Sequence, residues 1–266
     1  MQSSHFSLAL KAAKAGAEAI LNIYKTEDFG VEMKSDDSPL TRADQAAHNA
    51  IVHLLGDTGI PILSEEGKHL DHSVRKDWDQ CWIVDPLDGT KEFIKRNGEF
   101  TVNIALIEKG IPTFGIVWVP VSGEVFLGEV GNGAFKFIHT HQDLPSSMDE
   151  LKAMAQELPL ELPSTFTMVG SRSHMSPETE SYMNEKRKEH GEVEIVSKGS
   201  SLKLCMVAEG KAHEYPRFAP TMEWDTAAGQ AVCMASGAEV LRWPELSPLK
   251  YNREELLNPW FLVRRK

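Results

Sequence analysis

Cysteine is scarce in this chain of 266 residues, and the three that occur, Cys81, Cys205 and Cys233, lie far apart in apolar segments. An odd, scattered set builds neither a disulfide framework nor a cysteine-rich zinc site, so buried free thiols are expected. No apolar run approaches the ~20 residues that span a bilayer, and the first residues lack the basic-then-apolar signature of a secretory signal. A cytoplasmic protein is the expectation. Basic residues are outnumbered, with 28 Lys and Arg against 39 Asp and Glu, a formal net charge of -11 at pH 7. That balance argues against non-specific nucleic-acid binding while leaving room for a local basic pocket that holds a phosphorylated small molecule. Hydrophobic residues at 41% and charged residues at 25% are the proportions of a globular protein. The length allows a large core and favours two domains.

What is present is organised around Trp82-Ile83-Val84-Asp85-Pro86-Leu87-Asp88-Gly89-Thr90-Lys91-Glu92-Phe93. The apolar residues 81–84, β-branched at Ile83 and Val84, predict a short buried strand running into an acidic turn. Pro86 fixes its own φ and Gly89 permits a sharp turn, so Asp85 and Asp88 sit on a stiff segment and can point at one place. Carboxylates that close repel unless one holds a proton or a cation lies between them, and an oxygen-rich site suits hard Mg²⁺, Mn²⁺ or Ca²⁺. Taken alone, Asp-x-x-Asp reads more simply as a solvated turn.

The remaining chain predicts an amphipathic helix over 3–24, a surface loop or loose hairpin over 30–40 and a second helix from Thr41, where Asp44 serves either the cap or a hydroxyl. A strand over 60–63 ends at Glu65-Glu66. Alternating apolar segments at 100–107, 111–119, 124–130 and 134–138, broken by Gly and Pro, predict an antiparallel meander. Residues 140–165, polar with a short helix near 148–157, separate the halves. Strands over 167–170, 192–196 and 213–218 then alternate with helices over 177–189 and 201–209, predicting an α/β layer. A helix over 226–236 has Asp225 as its expected N-cap and Gly237 as its stop, and a last strand covers 239–243. The basic tail from Arg264 reads as a solvated end.

Asp44, Glu65-Glu66, Asp85-Pro86-Leu87-Asp88-Gly89-Thr90 and Trp224-Asp225, in that order, resemble the signature of the inositol monophosphatase superfamily. With the extended run from Asp85 through Thr101-Val102-Asn103, and with Gly170-Ser171-Arg172-Ser173-His174, Gly199-Ser200-Ser201-Leu202-Lys203 and Tyr215-Pro216-Arg217-Phe218, the chain resembles the CysQ-type 3'(2'),5'-bisphosphate nucleotidase branch. The resemblance implies an α/β (α+β) fold, the layered αβαβα sandwich of the inositol monophosphatase and fructose-1,6-bisphosphatase type. Residues 1–145 would form an α+β domain with most of the metal site, and residues 160–266 an α/β domain with the nucleotide site and Asp225. The implied metal ligands are Glu65, Asp85, Asp88, Asp225 and the Leu87 carbonyl, holding two or three Mg²⁺ with inhibition by Li⁺. Asp44 and Thr90 would orient the attacking water, with Glu65 the third catalytic residue and Lys34 on a loop near the metals. Gly89, Thr90, Ser171, His174, Ser200, Lys203, Arg217 and Asp225 would meet the substrate.

The residues themselves support a second anion site. Ser200 is placed like an N-cap for the helix that Lys203 enters, Arg217 adds a planar donor for phosphate, and His174 can stack on a base. The alternative for Ser-x-x-Lys alone is a capped surface helix. The expected activity is removal of the 3'-phosphate of 3'-phosphoadenosine 5'-phosphate to give AMP, in the service of sulfur assimilation. An inositol or other sugar phosphatase is the enzymatic alternative, and a catalytically silent metal-binding regulator the non-enzymatic one. The expected partner is a small nucleotide bisphosphate, not a nucleic acid. Oligomeric state and peripheral contact with the inner membrane are left open.

Overall fold

The computed structural model describes residues 1–26, 32–33, 39–68, 70–140, 143–170 and 176–265. The first half opens with α1 (Ser3–Tyr24), a two-residue pair β1 (Glu32–Met33) and β2 (Pro39–Leu40), and α2 (Arg42–Gly56). There follow β3 (Ile62–Ser64), α3 (His72–Arg75), β4 (Gln80–Asp88) and α4 (Thr90–Ile94). The predicted meander is β5 (Thr101–Glu108), β6 (Ile111–Trp118), β7 (Glu124–Glu129) and β8 (Gly133–Ile138), each strand antiparallel to the next. Strands β3 to β8, with β9 beyond them, make one seven-stranded sheet in sequential order.

The first sheet runs on past residue 145. The connecting helix α5 (Met148–Met154) is shorter than expected, and the chain then extends as β9 (Gln156–Leu158), which pairs with β8 and completes the first sheet. Next come β10 (Phe166–Gly170), α6 (Pro177–His190), β11 (Val193–Ser197), α7 (Leu202–Glu209), β12 (Glu214–Arg217), α8 (Glu223–Ala235), β13 (Ala238–Arg242) and β14 (Phe261–Arg265). The five strands order as β11-β10-β12-β14-β13.

The basic C-terminal segment is therefore not a solvated end. Strand β14 lies inside the sheet between β12 and β13, because Phe261, Leu262 and Val263 are buried. The Arg265 guanidinium donates to the carbonyls of Val207 (3.1 Å), Ala208 (3.2 Å) and Ser236 (2.7 Å), satisfying the C-terminal ends of α7 and α8.

The elements stack as the expected αβαβα sandwich. Side chains of α1 and α2, including Leu10, Ile20 and Ile51, pack on Trp82, Val84, Ile104 and Phe114 from one face of the first sheet. The other face, with Ile83, Ala105, Val117 and Phe126, packs on Leu204, Cys205, Ala228 and Val232 of α7 and α8. A smaller cluster of Met168, Tyr182, Met183, Phe218 and Leu262 seats α6 on the far side of the second sheet. All three cysteines are free and buried, as expected. Among the described residues no helix is long and apolar enough to cross a membrane.

Helix α8 approaches the first sheet closely enough to exclude side chains beneath it. A Cβ at Gly115 of β6 would lie 2.4 Å from the Ala228 carbonyl, and one at Gly128 of β7 would lie 2.7 Å from the Val232 Cα. This contact delivers the N-terminal end of α8 to the acidic end of β4.

Candidate active site

A regular strand would send Asp85 and Asp88, three residues apart, to opposite faces of the sheet. The β4–β5 ladder avoids this with a bulge: Asp85 pairs with Asn103 and Asp88 with Thr101, so three steps on β4 match two on β5. The extra residue returns both carboxylates to one face. Pro86, which cannot donate to the ladder, sits inside the bulge. The Leu87 N–H turns back to Asp85 Oδ1 at 3.0 Å while the Leu87 side chain enters the core. Strand β3 runs parallel to β4 and its last residue, Ser64, pairs with Val84; the Glu65 N–H then bonds the Val84 carbonyl at 3.1 Å. Glu65 thus arrives beside Asp85.

Asp225 completes the cluster from the second half. It is not the N-cap of α8: the helix begins at Glu223, and Asp225, a turn inside, accepts from the Met222 N–H at 2.7 Å. Acceptor oxygens of Asp85, Asp88 and Asp225 all lie within 4.8 Å of one another. Burial, followed by the charges of Glu65, Asp88 and Asp225, pushes the Asp85 carboxyl well above the ordinary range. Burial and the neighbouring Asp88 push Asp225 up to about 8. Among the described residues no lysine or arginine forms a direct ion pair with these three aspartates; Arg217 and Lys203 act on them only from across the cleft.

Asp44 performs the two roles that its position left open. Its Oδ2 accepts from the Thr41 N–H at 2.7 Å, which caps α2, and its Oδ1 accepts from the Thr90 hydroxyl at 3.3 Å. Thr90 follows Gly89, whose φ of 95° and whose approach to Ser200 both require glycine; an added Cβ would lie 2.1 Å from the Ser200 Oγ.

A cavity of about 150 Å³ joins the acids to the basic residues of the second half, with Asp88, Asp225, Gly89, Ser200, Lys203 and Arg217 in its wall. Burial holds the Lys203 ammonium below its usual pKa, an effect opposed by Asp88 and reinforced by Arg217. Arg217 donates to the Pro220 carbonyl at 2.9 Å, but its buried Nε has no hydrogen-bond partner among the described residues. Ser200 is not an N-cap. Helix α7 starts at Leu202, and Ser200 has a φ of 52°, held in that conformation by hydrogen bonds from its hydroxyl to the carbonyls of Asp88 (2.7 Å) and Glu99 (2.9 Å). Lys34, Ser171 and His174 lie outside the described residues.

A model of the inositol monophosphatase family matches residues 1–259. The chain belongs to that family. Relatives named 3'(2'),5'-bisphosphate nucleotidase CysQ, from Escherichia coli strain K12 and from Shigella flexneri, are each 44% identical over 94% of this chain and 96% of their own length. The crystal structure of CysQ from Bacteroides thetaiotaomicron, described as a bacterial member of the inositol monophosphatase family, superposes with a TM-score of 0.91. It is 51% identical and covers all of this chain and 98% of its own. The extragenic suppressor protein suhB of Bartonella henselae, at 23% identity and a TM-score of 0.75, shares the fold.

The residues of this family member fit a metal. Three carboxylates with oxygens within 4.8 Å of one another, Asp85 buried and Asp88 and Asp225 half-buried, are costly alone and suit a hard divalent ion. One residue of the site escaped the sequence reading. Ser201 sits at the junction of the halves, donating its N–H to Asp88 Oδ2 at 2.6 Å. Its hydroxyl lies 2.8 Å from the same oxygen and 2.7 Å from the Asp225 carbonyl, and it accepts from Asn103 Nδ2 at 2.8 Å. Only its place beside Ser200 hinted at this.

Proposed function

We propose that this protein is a Mg²⁺-dependent phosphomonoesterase of the cytoplasm that removes the 3'-phosphate of 3'-phosphoadenosine 5'-phosphate, giving AMP and phosphate and so serving sulfur assimilation. The observation that carries the reading is that one cleft joins the aspartate cluster to Lys203 and to Arg217, whose buried Nε has no hydrogen-bond partner among the described residues. A substrate with two phosphates satisfies both ends, one at the acids and one at the cations. The names of the CysQ relatives support the same substrate class.

Glu65, Asp85, Asp88, Asp225 and the Leu87 carbonyl would hold Mg²⁺, two or three ions per site as the family resemblance implies, with Li⁺ as an inhibitor. When bound, such ions neutralise phosphate oxygens, acidify water and stabilise the leaving alkoxide. The remaining roles belong to the chain's own residues. Asp44 accepts the Thr90 proton, which turns the Thr90 oxygen outward as an acceptor and so orients the attacking water. Lys203 and Arg217 hold the phosphate that is not cleaved and thereby set which ester bond faces the acids. His174 and Ser171 are assigned to the nucleoside by the resemblance.

A ranking of kcat/KM across nucleotide bisphosphates and inositol monophosphates tests the assignment. The nucleotide bisphosphate should lead, and a wild type preferring the inositol monophosphate would overturn the reading in favour of a sugar phosphatase. Absence of phosphate release from every substrate in Mg²⁺ would leave the silent regulator.

A further inference from the structure

Glu99 lies in the connection between α4 and β5, was assigned no role from sequence, and grips the segment before α7 at three points. Its carboxylate accepts from the Gly199 N–H at 3.0 Å through Oε2 and pairs with the Lys198 ammonium at 3.3 Å through Oε1. Its backbone carbonyl accepts from the Ser200 hydroxyl at 2.9 Å. Glu99 is itself fixed, since its N–H donates to Asn97 Oδ1 at 2.9 Å. The fit is close: a Cβ at Gly199 would lie 2.6 Å from the Glu99 carbonyl and 3.0 Å from the Glu92 Cγ.

The gripped segment in turn holds a cation. The Lys203 ammonium donates to the Ser200 carbonyl at 2.8 Å and reaches the Lys198 carbonyl at 3.4 Å. The direction of those two carbonyls sets where the ammonium stands in the cleft, and Glu99 sets the direction of the carbonyls. We propose that Glu99 is a positioning residue for the nucleotide end of the cleft, tying the 198–200 segment to the first half so that its carbonyls aim the Lys203 ammonium at the uncleaved phosphate. This rests on the assignment of that phosphate to Lys203 under the proposed function.

The other role for Glu99 is a surface ion pair with Lys198, which by itself contributes little. The two roles separate at Gly199, which is buried, so that losing the Glu99 carboxylate leaves its N–H without a partner. Glu99→Gln cancels the ion pair but keeps an oxygen for that N–H. Glu99→Ala removes both.

The test combines steady-state kinetics with backbone hydrogen exchange in wild type, Glu99→Ala and Glu99→Gln. With 3'-phosphoadenosine 5'-phosphate, Glu99→Ala should raise KM about tenfold and leave kcat within about twofold, the loss expected of one ordinary hydrogen bond in a pre-aligned site. Glu99→Gln should recover most of the loss, and KM for an inositol monophosphate should be unchanged in both. Amides of residues 198–203 should exchange faster in Glu99→Ala than in wild type or Glu99→Gln. Gly199→Ala wedges the same contact from the opposite side and should reproduce the KM rise, which keeps the test decisive if Glu99→Ala does not fold. Wild-type KM together with wild-type exchange in Glu99→Ala would overturn the proposal, as would a Glu99→Gln variant as impaired as Glu99→Ala. A wild type inactive on the bisphosphate would instead overturn the functional reading, and the exchange pattern would then decide the role of Glu99 alone.

Discussion

Replacing Asp225 by asparagine should stabilise the metal-free protein while removing its response to magnesium. Burial and the Asp88 charge raise the Asp225 carboxyl from the ordinary 3.8 to about 8. Between those values the folded protein keeps a proton that the unfolded chain has released, so metal-free stability falls as pH rises through the window and levels off above it. At 1.36 kcal/mol for each pH unit, full desolvation would set the fall at about 6 kcal/mol; the solvent contact that Asp225 retains reduces it to about 2–3 kcal/mol. An asparagine keeps an oxygen for the Met222 N–H and carries no charge to desolvate, so helix α8 retains that contact. The assay is urea unfolding in chelator at pH 5 and pH 8.5, repeated with Mg²⁺. Wild type should lose about 2 kcal/mol between the two pH values, the part of that fall lying above pH 5, and the variant should lose less and be the more stable at pH 8.5. Added Mg²⁺ should raise wild-type stability and barely move the variant. Equal stability of the two proteins at pH 8.5 without metal, or an equal gain from Mg²⁺, would refute the electrostatic account of the cluster.

Lys203→Ala should weaken kcat/KM for 3'-phosphoadenosine 5'-phosphate by about 1.5–3 kcal/mol, the range of a charged hydrogen bond, and leave hydrolysis of an inositol monophosphate near wild type. Equal losses on both substrates would make Lys203 structural. Gly115→Ala puts a Cβ 2.4 Å from the Ala228 carbonyl, a backbone atom that no rotamer change relieves, and should lower stability by about 1–3 kcal/mol in thermal unfolding. An unchanged Tm would mean that α8 does not seat on the sheet so closely. Lithium should inhibit phosphate release at concentrations where sodium does not, and equal inhibition at matched ionic strength would indicate general screening.

The regular elements were legible where periodicity is strong. The helix of residues 3–24 and the four-strand meander carry unbroken patterns and appear where those patterns place them. Strand β14 was missed because the two arginines and the lysine at its end suggested solvent, while its short apolar run, Phe261-Leu262-Val263, gave little length to weigh. The edge strand β9 was hidden by its polar sequence Gln-Glu-Leu, which needs only one buried side chain to pair with β8. Asp85, Asp88 and Asp225 were legible as an acid set through their motif, but the device that turns Asp85 and Asp88 to one face, a bulge in β4, depends on pairing with β5 and leaves no local trace. The same limit explains Ser200 and Ser201. Local preference makes Ser200 an N-cap, whereas contact with Asp88 and Glu99 from the other half gives Ser200 a left-handed backbone and leaves the cap position to Ser201, which binds the carboxylate. Contacts between distant segments decided both.

On the proposed function, acids from both halves of the chain would hold the metal at which a nucleotide bisphosphate loses its 3'-phosphate. The most direct measurement is product identification by chromatography after incubating chelator-stripped protein with 3'-phosphoadenosine 5'-phosphate, with and without restored Mg²⁺. The predicted result is AMP and one equivalent of phosphate when Mg²⁺ is restored and intact substrate when it is withheld. Adenosine 3'-phosphate as the product, or AMP formed at an equal rate without divalent metal, would contradict it.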